Sequence, residues 1–143
     1  MKVVLDTDVM VAAMRSAKGA SRKLLVMLDE GKFEALASVG LMLEYEAVLK
    51  RPENLSASGL TEMEVEEFIN ALTTMITPVE IFYLWRPVLK DPDDEFVFEA
   101  AINGQADIIA TFNTKHFREG AKRFAVDILT PGELLRRLEP WLM

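Results

Sequence analysis

An α/β sandwich around a mostly parallel sheet is the fold this sequence predicts, on three observations. Short β-branched or apolar runs, VVL (Val3 to Leu5), DIIAT (Asp107 to Thr111) and FAVDIL (Phe124 to Leu129), recur along the chain. Between them lie amphipathic stretches of helical period opened by capping residues. No linker, low-complexity segment or internal repeat interrupts the 143 residues. Strands that alternate with helices build right-handed βαβ units and hence a parallel sheet covered on both faces. One domain, residues 1–143, is expected, long enough to bury a real core.

The elements follow in order. VVL ends abruptly at Asp6-Thr7-Asp8, where Asp8 or Thr7 is the expected cap of a short helix reaching Met14. After Gly19, Ser21 caps a second helix carrying Leu24, Leu25, Met27 and Leu28, stopped at Gly31. FEALAS (Phe33 to Ser38) reads as a strand, and LMLEYEAVLK (Leu41 to Lys50) as a helix halted by Pro52. Thr61-Glu62-Met63-Glu64 is a capping box ahead of Val65, Phe68, Ile69 and Leu72. Thr77 to Phe82 is a short extended segment and Trp85 to Lys90 a loop. Asp91-Pro92-Asp93-Asp94 opens a helix with Val97, Ala100, Ala101 and Ile102 inward, closed by Asn103-Gly104. Thr130, Pro131 and Glu133 supply cap, first-turn proline and capping-box acid for the last helix.

Composition narrows the chemistry. The chain has no cysteine and one histidine, which removes disulfides, thiolate zinc sites, cysteine nucleophiles and any mechanism that needs two imidazoles. No secretory leader is visible, since Met1 and Lys2 run straight into VVLD, and no apolar stretch nears the roughly 20 residues that cross a bilayer. A cytoplasmic protein without membrane contact is expected. The formal net charge of −7 disfavours non-specific coating with nucleic acid. Most of these carboxylates belong to a solvated surface, but some occupy positions that suit a cation site.

Those positions follow from the sheet. Open parallel sheets bind ligands beyond the carboxyl ends of their strands. VVL runs into Asp6 and Asp8, and DIIAT into Phe112-Asn113, so both clusters point to one edge. A carboxylate directly after a buried strand is costly unless a cation or donors compensate it; Asp6 fits a cation ligand or a carboxylate bonded to turn amides. Asp8 fits a helix cap and a cation ligand equally. Glu44 lies near enough to its helix start to reach the same edge, or faces solvent; Glu46, two residues on, faces another way. Acidic residues at a helix start are worth roughly 0.3–1 kcal/mol each, yet one helix start does not need the whole run from Asp91 to Glu95. Asp6, Glu44 and Asp94, with Asp8, Asp91 or Asn113 nearby, make an all-oxygen site. Hard oxygen ligands without histidine or cysteine select Mg²⁺ or Mn²⁺ rather than zinc, and such ions activate water at phosphodiesters.

VVLDTDVMV, SVGLMLEYEAVLKRP, DPDDEFVFEAA, ADIIATFNTKHF and ILTPGELL, in this order, resemble the PIN domain family, and most closely its small prokaryotic toxin ribonucleases of toxin–antitoxin pairs. The resemblance implies an α/β/α fold and Mg²⁺- or Mn²⁺-dependent cleavage of RNA. It implies Asp6, Glu44 and Asp94 as the three acidic ligands and Asp91 as the additional aspartate of this branch. Asn113 falls where many members carry a fourth acid, Asp8 where they usually carry asparagine, and Thr111 where a hydroxyl supports the site. An antitoxin helix in an apolar groove is the implied protein partner.

Lys115, His116 and Arg118 are either RNA contacts or members of an ordinary solvated loop. Arg15, Lys18, Arg22 and Lys23 form the densest basic patch, a guide for RNA or plain surface charge. Trp85 and Trp141 read as packing surfaces, and the apolar content suits a homodimer. The rival reading is a PIN-like RNA- or protein-binding module that has lost catalysis. A phosphorylated-aspartate domain fits less well, because Asp107 begins its strand and Asp127 lies within one; a nucleotide-binding fold lacks its Gly-rich loop.

Overall fold

A computed structural model describes residues 1–82, 94–122 and 124–139. Its five strands are β1 (Lys2–Leu5), β2 (Glu34–Ala37), β3 (Ile76–Pro78), β4 (Ile108–Ala110) and β5 (Asp127–Leu129). They form one sheet of order β3-β2-β1-β4-β5, with every neighbouring pair parallel. Val3, Val4, Leu5, Ile108 and Ile109 are all buried, the condition under which apolar runs favour parallel strands.

The helices are α1 (Thr7–Arg15), α2 (Ala20–Asp29), α3 (Val39–Leu49), α4 (Pro52–Ser58), α5 (Glu62–Met75), α6 (Asp94–Asn103), α7 (Thr114–Gly120) and α8 (Pro131–Leu138). Helix α6 packs on β1, β2 and β4, and α7 on β5; α1 to α5 and α8 pack against one another, with α3 also touching β2 and α6, and α8 touching β5. Right-handed crossovers account for the two helical layers. The chain moves outward from β1 through β2 to β3, then reverses to β4 and β5, so later crossover helices fall on the opposite face. The expected α/β/α sandwich is the fold observed.

Both capping boxes form, Thr61 with Glu64 and Thr130 with Glu133. Several expectations are corrected. Asp6, not Asp8 or Thr7, caps α1: its backbone is still extended and its carboxylate accepts the Thr7 N–H at 2.7 Å. Gly19 rather than Ser21 precedes α2, and Ser21 is buried inside the helix. Ser38 is not the end of β2 but the cap of α3, accepting from Leu41 N at 3.1 Å. Pro52 does not merely stop a helix; it opens α4 in the first turn, where its missing N–H costs nothing. Residues after Asn113, expected as loop, form α7, with Phe117 buried beneath it. The third and fifth strands are shorter than the runs that announced them. The loop expected at Trp85 to Lys90, Asp91 and Trp141 lie outside the described residues.

Gly104 closes α6 by close approach. A Cβ there would stand 2.8 Å from Leu36 Cδ1 and 2.9 Å from the Ala100 carbonyl, and the left-handed backbone needed next falls on Gln105.

Candidate active site

Order β3-β2-β1-β4-β5 places the topological reversal between β1 and β4, and the candidate residues sit at the carboxyl ends of those two strands. Asp6 follows Leu5 directly and is buried. Its amide is held by the Ala110 carbonyl at 2.9 Å, so the β1–β4 ladder fixes its backbone. One carboxylate oxygen accepts from Thr7 N; the other accepts from Thr111 Oγ1 at 2.7 Å. Thr111 is fully buried just past β4, and its hydroxyl in turn accepts the Asn113 N–H at 2.9 Å.

Asp8 comes to the same place from the first turn of α1. Its Oδ2 accepts from Phe112 N at 3.1 Å and lies 3.4 Å from the Thr111 hydroxyl. Its Oδ1 is buried with no hydrogen-bond partner among the described residues. Burial, and then the negative charge of Asp6, push the Asp8 carboxyl up to about 7. Two carboxylates thus share one hydroxyl at the sheet edge, and one buried oxygen of Asp8 is left unsatisfied among the described residues.

Glu44 is half-buried on α3, and two contacts seat that helix. Tyr45, fully buried, donates its hydroxyl to the carbonyl of Leu5, the residue before Asp6. Gly40, one turn before Glu44, lies so close to the Phe96 ring of α6 that a Cβ would stand 2.9 Å from it. The helix face carrying Gly40 and Glu44 is therefore the one turned toward the start of α6, where Asp94 stands. Glu46 is held by Lys50 at 2.8 Å, and Lys50 also reaches Glu66 of α5.

The structure brings Asp6, Asp8 and Thr111 into contact and turns the Glu44 face toward α6. Asn113 is exposed at the start of α7, without a side-chain capping bond. Lys115 is exposed on α7, whereas Arg118 turns to the Ile128 carbonyl at 3.5 Å, beside β5. His116 is half-buried, with its ring edge-on to Phe117. In the basic patch Arg15 binds Asn54 and Arg22 the Ala13 carbonyl, both at 2.8 Å. Asp91 and the side chain of Asp94 are outside the described residues, and among the described residues no three acidic or imidazole groups gather closely enough to hold an ion. The unpartnered Asp8 oxygen and the all-oxygen donors do fit a hard divalent cation.

Sequence reasoning missed Tyr45 and Gly40. Tyr45 had a signal: a hydroxyl-bearing ring on the apolar side with Leu41, Val48 and Leu49, which when buried needs a partner. Glu99, buried one turn after Glu95 on α6, was not separated from surface acid either.

A family model of the PIN domain matches residues 2–115. The chain therefore belongs to the PIN domain family, whose members are generally metal-dependent nucleases. Among solved structures it is similar to VapBC2 from Rickettsia felis bound to a DNA fragment from their promoter, with a TM-score of 0.62 and 14% identity over 91% of this chain and 98% of that one. At that identity the likeness is one of fold. No curated protein sequence matches the chain.

Proposed function

We propose that the protein is a Mg²⁺- or Mn²⁺-dependent endoribonuclease that hydrolyses RNA phosphodiester bonds as the toxin of a toxin–antitoxin pair. The observation that carries this is the Asp6–Asp8 pair, held side by side at the strand reversal by Thr111, with one buried oxygen of Asp8 unsatisfied. Structural carboxylates at a turn would have their oxygens matched by donors; an unmatched one next to a second acid suits a cation.

Asp6, Glu44 and Asp94 are the proposed catalytic ligands, with Asp91 as a further ligand. Asp8, Thr111 and Asn113 support them, and Thr111 holds one oxygen of the Asp6 carboxylate. A divalent cation held by these carboxylates would supply Lewis acidity at a phosphodiester and lower the pKa of water for attack. Lys115, exposed on α7, and Arg118 near β5 are the proposed phosphate contacts.

For partners, we propose an antitoxin protein, by carry-over from the PIN toxin branch, and a homodimer. A largely apolar cleft of ≈ 350 Å³, whose lining includes Val39, Met42, Leu43, Ile69, Ile76 and Pro78, is a surface that suits either partner. No helix among the described residues is long and apolar enough to cross a membrane; we propose a cytoplasmic location.

The test is cleavage of a panel of single-stranded and structured RNAs with Mg²⁺, Mn²⁺ or EDTA, using the wild type, Asp6→Ala and Asp94→Ala. Metal-dependent cutting lost in both variants supports the reading. Absence of cutting and of metal binding by inhibitor-free protein leaves a binding module instead.

A further inference from the structure

We propose that Tyr45 is a positioning residue that holds Glu44 at the spacing from Asp6 which a divalent cation needs; this rests on the nuclease reading above. The reason begins with the sheet. Strand β2 pairs with β1 at Lys2–Glu34 and Val3–Ala35 and then turns into α3 at Ser38. Leu5, two residues further along β1, is buried beyond that pairing. A buried carbonyl needs a donor, and the one supplied is the Tyr45 hydroxyl.

That donor comes from α3 itself, from the residue next to Glu44, and its acceptor is the residue next to Asp6. One side-chain-to-backbone hydrogen bond therefore ties α3, which carries Glu44, to the end of β1, which carries Asp6. The side of α3 away from Tyr45 is seated by Gly40 against Phe96, so the helix is fixed against both β1 and α6. The phenol is suited to this. Burial, with the Asp6 charge added, raises its pKa above the ordinary value, so the hydroxyl keeps its proton at neutral pH. A phenylalanine would keep the ring and leave the Leu5 carbonyl unsatisfied.

Loss of the bond would let α3 move slightly against β1, which a core tolerates but a divalent cation that Asp6 and Glu44 would hold jointly does not. The test uses Tyr45→Phe, which keeps the ring and its packing. Mn²⁺ is titrated calorimetrically into full-length wild type and variant, alongside Leu72→Val as a control buried equally in α5. Thermal melts match the two variants for stability. The expected result is an Mn²⁺ dissociation constant raised at least fivefold in Tyr45→Phe and unchanged in Leu72→Val. RNA cleavage by Tyr45→Phe should then recover toward the wild-type rate as Mn²⁺ is increased.

Equal Mn²⁺ affinity in wild type and Tyr45→Phe overturns the proposal, as does an equal loss in the Leu72→Val control. Wild type that binds no Mn²⁺ overturns both this proposal and the metal-dependent reading. Wild type that binds Mn²⁺ but cuts no RNA removes only the nuclease reading, and the Mn²⁺ affinities still decide the role of Tyr45.

Discussion

Thr111 Oγ1 donates to Asp6 Oδ2 at 2.7 Å, a bond between side chains at the ends of two adjacent strands, 105 positions apart in sequence. The same hydroxyl accepts the Asn113 N–H, so one buried atom orients the Asp6 carboxylate and the entry to α7. Thr111→Val keeps the shape and removes both bonds. A buried carboxylate that loses its donor costs about 1–3 kcal/mol. Urea denaturation should show a loss of that size, and cleavage should fall at least tenfold at fixed Mg²⁺. A variant as stable as wild type would show that the hydroxyl bond contributes nothing net.

Asp8 gives a pH prediction. Its carboxyl is raised from 3.8 to about 7 by burial and by Asp6, so the folded protein binds that proton more tightly than the unfolded chain. The stability this contributes is fully present below about pH 4 and is lost as pH rises through 7. Asp8→Asn, which cannot ionise, should match wild type near pH 4. At pH 8, without divalent cations, it should exceed wild type by about 1–2 kcal/mol, allowing for the partial solvent access of the site. Chemical denaturation at pH 4, 6 and 8 reads the difference, and a gap that shrinks with rising pH would contradict the sign.

Gly40 tests the seating of α3 on α6. Alanine is the better helix former by about 1 kcal/mol, but its Cβ would stand 2.9 Å from the Phe96 ring, and overpacking typically costs about 1–3 kcal/mol. Gly40→Ala should therefore destabilise slightly, by about 1 kcal/mol, and lower cleavage disproportionately because Glu44 lies one turn on. Adding Phe96→Leu should restore both. If activity and stability fall in strict proportion, the contact is ordinary packing.

How much of this was legible depended on whether the signal was local. Strands β1 and β4 and the boxes at Thr61–Glu64 and Thr130–Glu133 are written in neighbouring residues, and all were read. Helix α7 was not, because TKHFREG buries one apolar side chain, Phe117, and so carries no period. Pro52 was read as a stop because proline breaks helices from inside; as a first-turn residue it begins one. Within the site, the strand-edge logic reached Asp6 and Asp8, whose place depends on a strand end alone, while Thr111 followed only from the family resemblance. What it could not reach was Tyr45 meeting Leu5, 40 positions away, or Gly40 meeting Phe96. Those are tertiary contacts whose partners no local pattern names.

The apolar cleft yields the last prediction. Val39 and Leu43, one turn apart on α3, are 77% and 62% exposed, and with Met42, Ile69, Ile76 and Pro78 they line it. Fully covering an aliphatic side chain is worth roughly 1.5–3 kcal/mol, and a two-fold interface uses each residue twice. Val39→Glu places two charges in the proposed dimer contact, while in the monomer an acid in the first turn of α3 favours the helix. Sedimentation equilibrium should show a wild-type dimer whose dissociation constant rises at least a hundredfold in Val39→Glu, with the melting temperature of the monomer unchanged or higher. A monomeric wild type at tens of micromolar would remove the homodimer proposal. A dimer indifferent to the substitution would move the contact to another face and leave the cleft between α3 and α5 open for a different protein.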